Sequence, residues 1–373
     1  MKILFLSNFY NHHQASISRE LYQQTEKQYR FVATELMPED RIKLGYADIG
    51  DEFVVQYSED PVLKKQIQQW IDEADAVIMG AAPEYLIENR KRTGKLILRY
   101  SERPLKYGFH LWKYPFQWLR WNKINPRGAS IYMLCASAYT ASDYAKFGLF
   151  NKRTLKWGYF PECKNYVNIM ELIDKKNRTE LLWCGRFLDW KHPDDAILIA
   201  TRLKEANYDF HLTMVGTGEM ENQLKKMVAD RGLTNEVNFT GSVPSDQVRS
   251  YMEKAGIYLL TSDRKEGWGA VLNEAMNSGC AVLASRDAGS VPYLISDDYN
   301  GMIYDSCSVD MLYEKTAFLL DHPREQKRLG LCAYETITKV WNAKEAARRL
   351  VQIADGLCRG SLEFFEEGPC SRA

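Results

Sequence analysis

The sequence predicts an α/β protein with two doubly wound parallel-sheet domains that face each other across a cleft. Short apolar segments alternate with amphipathic helical segments along the chain, which is typical of parallel sheets covered by helices on both faces. The 373 residues exceed what one hydrophobic core usually organises. The strand pattern also stops near Gly158 and restarts at Leu181, which predicts a domain boundary.

The predicted strands share a short run of apolar residues that ends in a polar loop. They lie at 3–6, 31–34, 76–79, 96–98, 131–135, 154–157, 181–184, 211–215, 237–239, 257–260 and 281–284. We therefore divide the chain into residues 1–163, 164–342 and 343–373. The last segment begins with an amphipathic helix over 343–357, and its polar end, Glu363 to Ala373, is expected to fray.

Net charge, cysteine spacing and the apolar start of the chain argue against several classes of protein. Lysine and arginine number 49, as do aspartate and glutamate, so the chain lacks the excess positive charge of a general nucleic-acid binder. The eight cysteines are spread singly without zinc spacing, which favours free thiols in a reducing cytoplasm over disulfides or a metal site. The apolar start, Met1 to Leu6, is too short for a signal sequence or a membrane span and indicates a buried strand.

The segment Glu266 to Met276 carries the most specific signal. Gly267 and Gly269 disfavour helix around Glu266, whereas Ala270 to Ser278 predicts a short helix that contains Glu274. A helix start presents unpaired backbone N–H groups that suit phosphates, and carboxylates accept hydrogen bonds from sugar hydroxyls. The pattern indicates a nucleotide-sugar site. The alternative is an ordinary pair of surface acids.

Five segments in order resemble the donor site of glycosyltransferase family 4, the retaining glycosyl transferases group 1 of bacterial surface-polysaccharide type. They are 181–191, 212–218, 237–243, 266–292 and 300–304. The resemblance implies the GT-B fold, an acceptor-binding domain at 1–163, a donor-binding domain at 164–342 and a C-terminal helix that crosses back to the first domain. It also implies sugar transfer with retention of configuration and without a metal or other cofactor.

The resemblance assigns roles to individual residues. Glu266 would contact hydroxyls of the transferred sugar, and Arg186 and Lys191 would stabilise the departing diphosphate as further catalytic residues. The alternative for these two cations is pairing with Asp189 or Asp194. The implied donor-binding residues are Gly185, Val243, Gly267, Trp268, Gly269, Ala270, Val271 and Glu274, the last at the ribose. Tyr293 departs from the family, which commonly has Glu there.

Two further loops need separate interpretation. Gly216-Thr217-Gly218 begins like a dinucleotide fingerprint, but Glu221 replaces its third glycine, so we predict a tight turn rather than a phosphate contact. In the first domain, His12 and His13 lie in a predicted loop after the first strand. They are candidates for acceptor or phosphate contacts, or for packing within that loop. Glu102 is a third candidate, after the strand at 96–98.

Cations and aromatic rings interleave between Arg99 and Arg127. Cations attract anionic lipid head groups while indole and phenol rings favour the membrane interface. The membrane-interface candidates are Trp112, Lys113, Trp118, Arg120, Trp121 and Lys123. Packing against the first domain is the alternative, and stacking of single-stranded nucleic acid is a weaker one.

Together these features predict a cytoplasmic hexosyltransferase, peripheral at the inner face of the cell membrane. It would move a sugar from a UDP- or GDP-sugar to a saccharide acceptor, expected to be lipid-linked, in polysaccharide biosynthesis. Two other classes stay open: a sugar-nucleotide epimerase, and a non-catalytic carbohydrate-binding or scaffold protein.

Overall fold

The computed structural model describes residues 1–38, 50–306 and 308–373. The chain forms two compact units. Residues 1–161 together with 341–373 make the first domain, and residues 162–340 make the second. None of the described helices is long and apolar enough to cross a membrane.

The first domain is built on a parallel sheet with described strand order β3-β2-β1-β4-β5-β6-β7. Its strands are β1 Ile3–Ser7, β2 Tyr29–Ala33, β3 Val54–Gln56, β4 Ala76–Met79, β5 Leu96–Ser101, β6 Ile131–Cys135 and β7 Thr154–Lys156. Its first helices are α1 His12–Gln24, α2 Pro61–Glu73, α3 Glu88–Thr93, α4 Tyr114–Ile124 and α5 Thr140–Ala145. Central strands such as β1 and β4 are buried along their whole length, as expected for parallel strands covered on both faces.

The second domain repeats this architecture, with described strand order β10-β9-β8-β11-β12-β13, again all parallel. The strands are β8 Asn177–Cys184, β9 His211–Val215, β10 Val237–Gly241, β11 Ala255–Leu260, β12 Ala281–Ser285 and β13 Met302–Tyr304. The helices are α6 Ile169–Lys175, α7 Pro193–Glu205, α8 Glu221–Asp230, α9 Ser245–Lys254, α10 Val271–Asn277, α11 Val291–Leu294, α12 Val309–Asp321 and α13 Pro323–Lys339.

Polar side chains set the start of several helices. Asn11, Asn168, Ser308 and Asn342 each accept a hydrogen bond from a backbone N–H in the first turn of the helix that follows. Such caps satisfy N–H groups that have no partner inside the helix. The cap at Asn11 corrects one expectation, because His12 and His13 lie in the first turn of α1 rather than in a loop.

The C-terminal segment completes the first domain. Helix α14, Ala343–Arg359, packs against α1. The residues beyond it are ordered, which corrects the expected fraying. The backbone N–H of Cys370 donates to Lys156 O at 2.8 Å, and that of Lys156 donates to Ser371 O at 2.8 Å. The tail therefore pairs with the edge strand β7 and buries Cys370 completely.

The described cysteines are free thiols, in agreement with the sequence-based expectation. Cys135, Cys280 and Cys370 are buried, Cys163, Cys184 and Cys332 are half-buried, and Cys358 is exposed. Cys307 lies outside the described residues.

Candidate donor-binding site

The candidate functional residues of the second domain lie where the strand order of its sheet reverses. Strands β8 and β11 are neighbours in the middle of the sheet, and the chain proceeds from them toward opposite edges. In open parallel sheets, ligands bind outside the carboxyl ends of the strands at this point. The loops that follow these two strands, 185–191 and 261–270, therefore border one crevice within the second domain.

Lys191 and Glu266, one from each loop, form an ion pair in this crevice. Lys191 Nζ lies 2.5 Å from Glu266 Oε2, and the two side chains are 14% and 11% exposed. Ser262 Oγ donates to the same carboxylate oxygen at 3.1 Å. Lys191 therefore pairs with Glu266 rather than with Asp189 or Asp194, and the two predicted catalytic groups are brought together.

Thr261 links the backbone of Lys191 to strand β8, a role that was not predicted from the sequence. Its hydroxyl accepts a hydrogen bond from Trp183 Nε1 at 2.8 Å and donates to Lys191 O at 2.6 Å. Thr261 and Ser262 directly follow strand β11. Their position at the carboxyl end of a central strand is the signal that could have identified them.

Arg186 is exposed and forms no ion pair within the described chain. Gly185, next to it, allows close approach, because a Cβ there would lie 3.3 Å from the Trp183 ring and 3.4 Å from Lys191 Cδ. The crevice thus offers one cation that is paired with a carboxylate and one that is available to an anion.

The loop around Gly216 supports the Arg186 loop from the neighbouring strand. A Cβ on Gly216 would lie 1.9 Å from Gly185 O, and one on Gly218 would lie 2.5 Å from Phe187 O. The Phe187 N–H donates to Thr217 O at 2.9 Å. Both positions require glycine because the backbones of the two loops pack so closely that a side chain would not fit. This packing agrees with the predicted tight turn.

The segment 266–277 has the predicted loop and helix, although the helix is shorter than expected and spans Val271–Asn277. Gly269 has φ +85°, a conformation that favours glycine, and a Cβ there would lie 3.3 Å from Glu266 Cγ. Within the described chain, the backbone N–H groups of Ala270 and Val271 have no hydrogen-bond acceptor. These two donors are available to a ligand.

Two aromatic residues border this loop from inside the domain. Trp268 is 1% exposed, and its Nε1 donates to Asn273 Oδ1 at 2.9 Å. Its indole therefore anchors the loop. Tyr293, at the position where the resembled family has Glu, lies beside it with ring centroids 6.3 Å apart.

Val243, another predicted donor-binding residue, is half-buried and lies two residues after β10.

Glu274 lies in the first turn of α10 and is half-buried. Burial raises the pKa of its carboxyl group, and the positive charge of Arg249 partly offsets this effect. Arg249 is held by a 2.8 Å hydrogen bond from Nη1 to Asn277 Oδ1. Arg249 is a second residue that the sequence analysis missed, since only the fold brings α9 beside α10.

One described cluster has atoms close enough to share a metal ion. A ring nitrogen of His192 and carboxylate oxygens of Asp194 and Asp195 lie within 4.8 Å of one another. Burial, together with the neighbouring Asp194 charge, raises the pKa of Asp195 to about 6. The family resemblance implies no metal, so a metal-dependent activity would point to this cluster as the site of the ion.

In the first domain, Tyr159 connects two of the three cleft candidates. Its hydroxyl donates to Glu102 Oε1 at 2.7 Å, and its ring stacks on His13 with centroids 5.5 Å apart. The rings of His12 and His13 are 4.1 Å apart, and burial lowers the pKa of His12. The three candidates therefore belong to one polar group near the carboxyl ends of β1 and β5.

Helix α4 and the turn before it present an apolar face to solvent, which we call the aromatic surface. Its most exposed members, between 61% and 80% exposed, are Tyr107, Leu111, Trp112, Phe116 and Leu119. Trp118 is 38% exposed, Lys113 is half-buried, and Arg120 and Lys123 are exposed.

The opposite face of α4 packs on the first domain. The Tyr114 ring stacks on Phe147 at 5.6 Å, and Trp121 meets Tyr144 edge-on at 5.3 Å. Trp121 therefore packs inward, as the packing alternative expected, while Trp112 and Trp118 point outward.

Comparison with known proteins agrees with this geometry. Residues 169–336 match the family model described as glycosyl transferases group 1. The matched residues lie within the second domain. The match covers the loops that carry Arg186, Lys191, Glu266 and Glu274.

Curated relatives match over about half of the chain, and two of them are informative. One is the GDP-mannose-dependent alpha-(1-6)-phosphatidylinositol monomannoside mannosyltransferase of Mycolicibacterium smegmatis, 25% identical over 204 residues, 53% of each chain. The other is the amylovoran biosynthesis glycosyltransferase AmsK of Erwinia amylovora, 28% identical over 182 residues, 48% of this chain and 44% of AmsK. The chain spans about half the length of the curated relatives that it matches.

The likeness in fold extends over both domains. The crystal structure of Anabaena Alr3699/HepE in complex with UDP has a TM-score of 0.70 at 14% identity, covering 94% of this chain and 98% of that one. This confirms the predicted GT-B fold class with its two Rossmann-like domains.

Proposed function

We propose that this protein is a retaining glycosyltransferase that moves a sugar from a nucleoside diphosphate donor to a saccharide acceptor without a metal ion. The observation that carries the proposal is the Lys191–Glu266 pair at the switch point of the glycosyl transferase domain, with the unpaired Arg186 beside it. A positioned carboxylate and two cations are the groups that a sugar diphosphate requires.

Donor binding would use three kinds of contact. The free N–H groups of Ala270 and Val271 donate to the diphosphate, while Glu266 accepts hydrogen bonds from sugar hydroxyls. Glu274 accepts from the ribose, at the far side of the same loop. The Lys191–Glu266 pair fixes both side chains before the donor arrives, which lowers the ordering cost of binding.

The chemical step depends on the leaving group. As the bond to the diphosphate breaks, negative charge grows on its oxygen, and Arg186 and Lys191 are the cations that would stabilise it. The acceptor hydroxyl forms the new bond on the same face of the sugar and passes its proton to the leaving phosphate oxygen. This route requires no separate general base.

The relatives support a donor and acceptor class. One curated relative is named for GDP-mannose and a phosphatidylinositol mannoside, another for amylovoran biosynthesis, and the HepE crystal contains UDP. By extension, we propose a UDP- or GDP-sugar as donor and a lipid-linked saccharide as acceptor. The polar group of His12, His13 and Glu102 is our candidate for acceptor contacts.

The aromatic surface supports a membrane-associated acceptor. A cluster of exposed large apolar side chains of this kind marks a surface that binds a protein or a membrane. Lys113, Arg120 and Lys123 add positive charge to its border. We therefore propose peripheral association with an anionic membrane surface.

A donor screen without acceptor tests the activity. UDP- and GDP-sugars are incubated with the protein, and slow release of free sugar and nucleoside diphosphate is the expected result. An epimerised donor would indicate the epimerase alternative, and binding without any turnover would indicate a carbohydrate-binding protein.

A chelation experiment tests the metal-free mechanism with the same readout. Hydrolysis should be unchanged in EDTA, because Arg186 and Lys191 supply the positive charge. If EDTA abolishes hydrolysis and magnesium or manganese restores it, the mechanism is wrong. Asp195→Asn would then show whether the His192, Asp194 and Asp195 cluster holds the ion.

A further inference from the structure

A cavity of about 340 Å³ opens at the amino edge of the first sheet, where β6 and β7 begin. Its walls come from the residues that lead into these strands, 125–131 and 148–153. The polar group of His13 and Glu102 follows the carboxyl ends of strands, so it belongs to the opposite edge of the same sheet. The volume falls within the range of small-molecule sites.

Two arginines give this cavity positive charge. Arg127 and Arg153 line it, no acidic residue is among the described residues of its lining, and neither arginine forms an ion pair in the described chain. Both arginines are exposed, and Arg127 Nη2 lies beside Gly148, since a Cβ built there would lie 3.2 Å from it. Arg153 Nη1 donates to Ala129 O at 3.0 Å. Guanidinium groups without a counter-ion favour an anion, and their planar donors match phosphate.

Asn125 forms part of the cavity wall. It is 4% exposed, and its Nδ2 donates to Trp121 O at 3.0 Å, which orients the amide. Its Oδ1 is shielded from solvent. The two arginines therefore supply the charged contacts that a ligand in this cavity can reach.

We propose that this cavity binds a phosphate ester, whose phosphate pairs with Arg127 and Arg153. The ester has two possible sources, the phosphate head group of a lipid or a soluble phosphate ester. We favour the lipid source because of the position of the cavity. Helix α4, which carries the aromatic surface, ends at Ile124, and the cavity begins at the next residue. The site is independent of the proposed transferase activity.

Calorimetric titration with glycerol 3-phosphate tests the ester chemistry. Wild type should bind it saturably, and Arg127→Gln should weaken binding at least tenfold, with Arg153→Gln as a second variant. Arg92→Gln is the matched control, since Arg92 is an exposed arginine of the same domain outside the cavity.

Sedimentation with vesicles separates the two sources. If the lipid is the source, Arg127→Gln should bind phosphatidylglycerol vesicles less well than Arg92→Gln, and glycerol 3-phosphate should compete. If the ester is soluble, both variants should bind these vesicles equally while the calorimetric difference remains. The proposal is overturned if glycerol 3-phosphate gives no variant-sensitive binding and the two variants also bind the vesicles equally.

Discussion

Lys191 and Glu266 are nearly excluded from water, so each depends on the other for its charge to be tolerated. Removing one partner of a buried pair leaves an uncompensated charge, whereas removing both can be close to neutral. The stability effect of the pair can therefore be separated from its proposed effect on catalysis.

We expect Lys191→Met to lower donor hydrolysis at least about a hundredfold and to destabilise the protein, because Glu266 is left buried without its cation. The double variant Lys191→Met with Glu266→Gln should recover most of the lost stability. It should not recover hydrolysis. Urea denaturation and the donor assay measure the two effects. A double variant that regains activity together with stability would indicate that the pair is structural.

Glu274 provides a pH-dependent test. Its raised pKa means that the folded state binds a proton more tightly than the unfolded state, so the charged carboxylate lowers stability at neutral pH. Glu274→Gln should therefore raise the melting temperature at pH 8, and the difference should shrink as pH falls through the raised pKa.

The same substitution should weaken nucleoside diphosphate binding by about tenfold at pH 8, since a charge-assisted hydrogen bond to the ribose is lost. Wild-type affinity should fall toward that of the variant as pH decreases. Calorimetry across this pH range measures both. Equal affinities at pH 8 would exclude Glu274 from the ribose contact.

At the scale of elements, the proposed donor crevice depends on the packing of the loop at Gly216 against the loop 185–191. Gly216→Ala would place a methyl group 1.9 Å from Gly185 O and displace the loop that carries Arg186. We expect a loss of at least about 3 kcal/mol in the free energy of unfolding, together with weaker nucleotide binding.

Gly232→Ala is the matched control. Gly232 also has a positive φ, +65°, but no atom lies within 4 Å of a Cβ built there. Backbone strain alone should cost about 1 kcal/mol and leave nucleotide binding unchanged. If the two variants were equally stable, the close approach of the two loops would have no energetic importance.

Strands and the donor loop were predictable because their signals are local. Apolar runs identified the buried strands, and glycines placed Glu266 in a loop before the helix of Glu274. Long-range pairing was not predictable. The tail, polar in sequence, is ordered by strand β7 more than 200 residues earlier, and Tyr159 reaches Glu102 across 57 residues.

At the scale of the molecule, the aromatic surface makes membrane association testable. Replacing Lys113, Arg120 and Lys123 with Gln should weaken binding to anionic vesicles about a hundredfold, because each cation near the surface contributes about 1 kcal/mol. Wild-type binding should also weaken as salt rises. Donor hydrolysis should persist, since the proposed donor loops belong to the second domain.

Three exposed lysines of that domain provide the control. Lys175, Lys225 and Lys226 are 53% to 74% exposed, and each pairs only within its own helix turn. Changing them to Gln alters the net charge equally but should leave vesicle binding nearly unchanged. Equal sedimentation of both triple variants and wild type would instead indicate that the aromatic surface binds no membrane.

The division of the first domain between residues 1–161 and 341–373 has a consequence for biosynthesis. A ribosome adds about 5 to 20 residues per second, so the 179 residues of 162–340 take roughly 10 to 35 s to synthesise. Throughout that time the nascent first domain lacks the helix that covers α1 and the tail that pairs with β7. The second domain, which is continuous in sequence, can finish folding first. Until residues 341–373 are made, the first domain exposes its edge strand β7, and an exposed strand edge promotes aggregation unless a chaperone covers it.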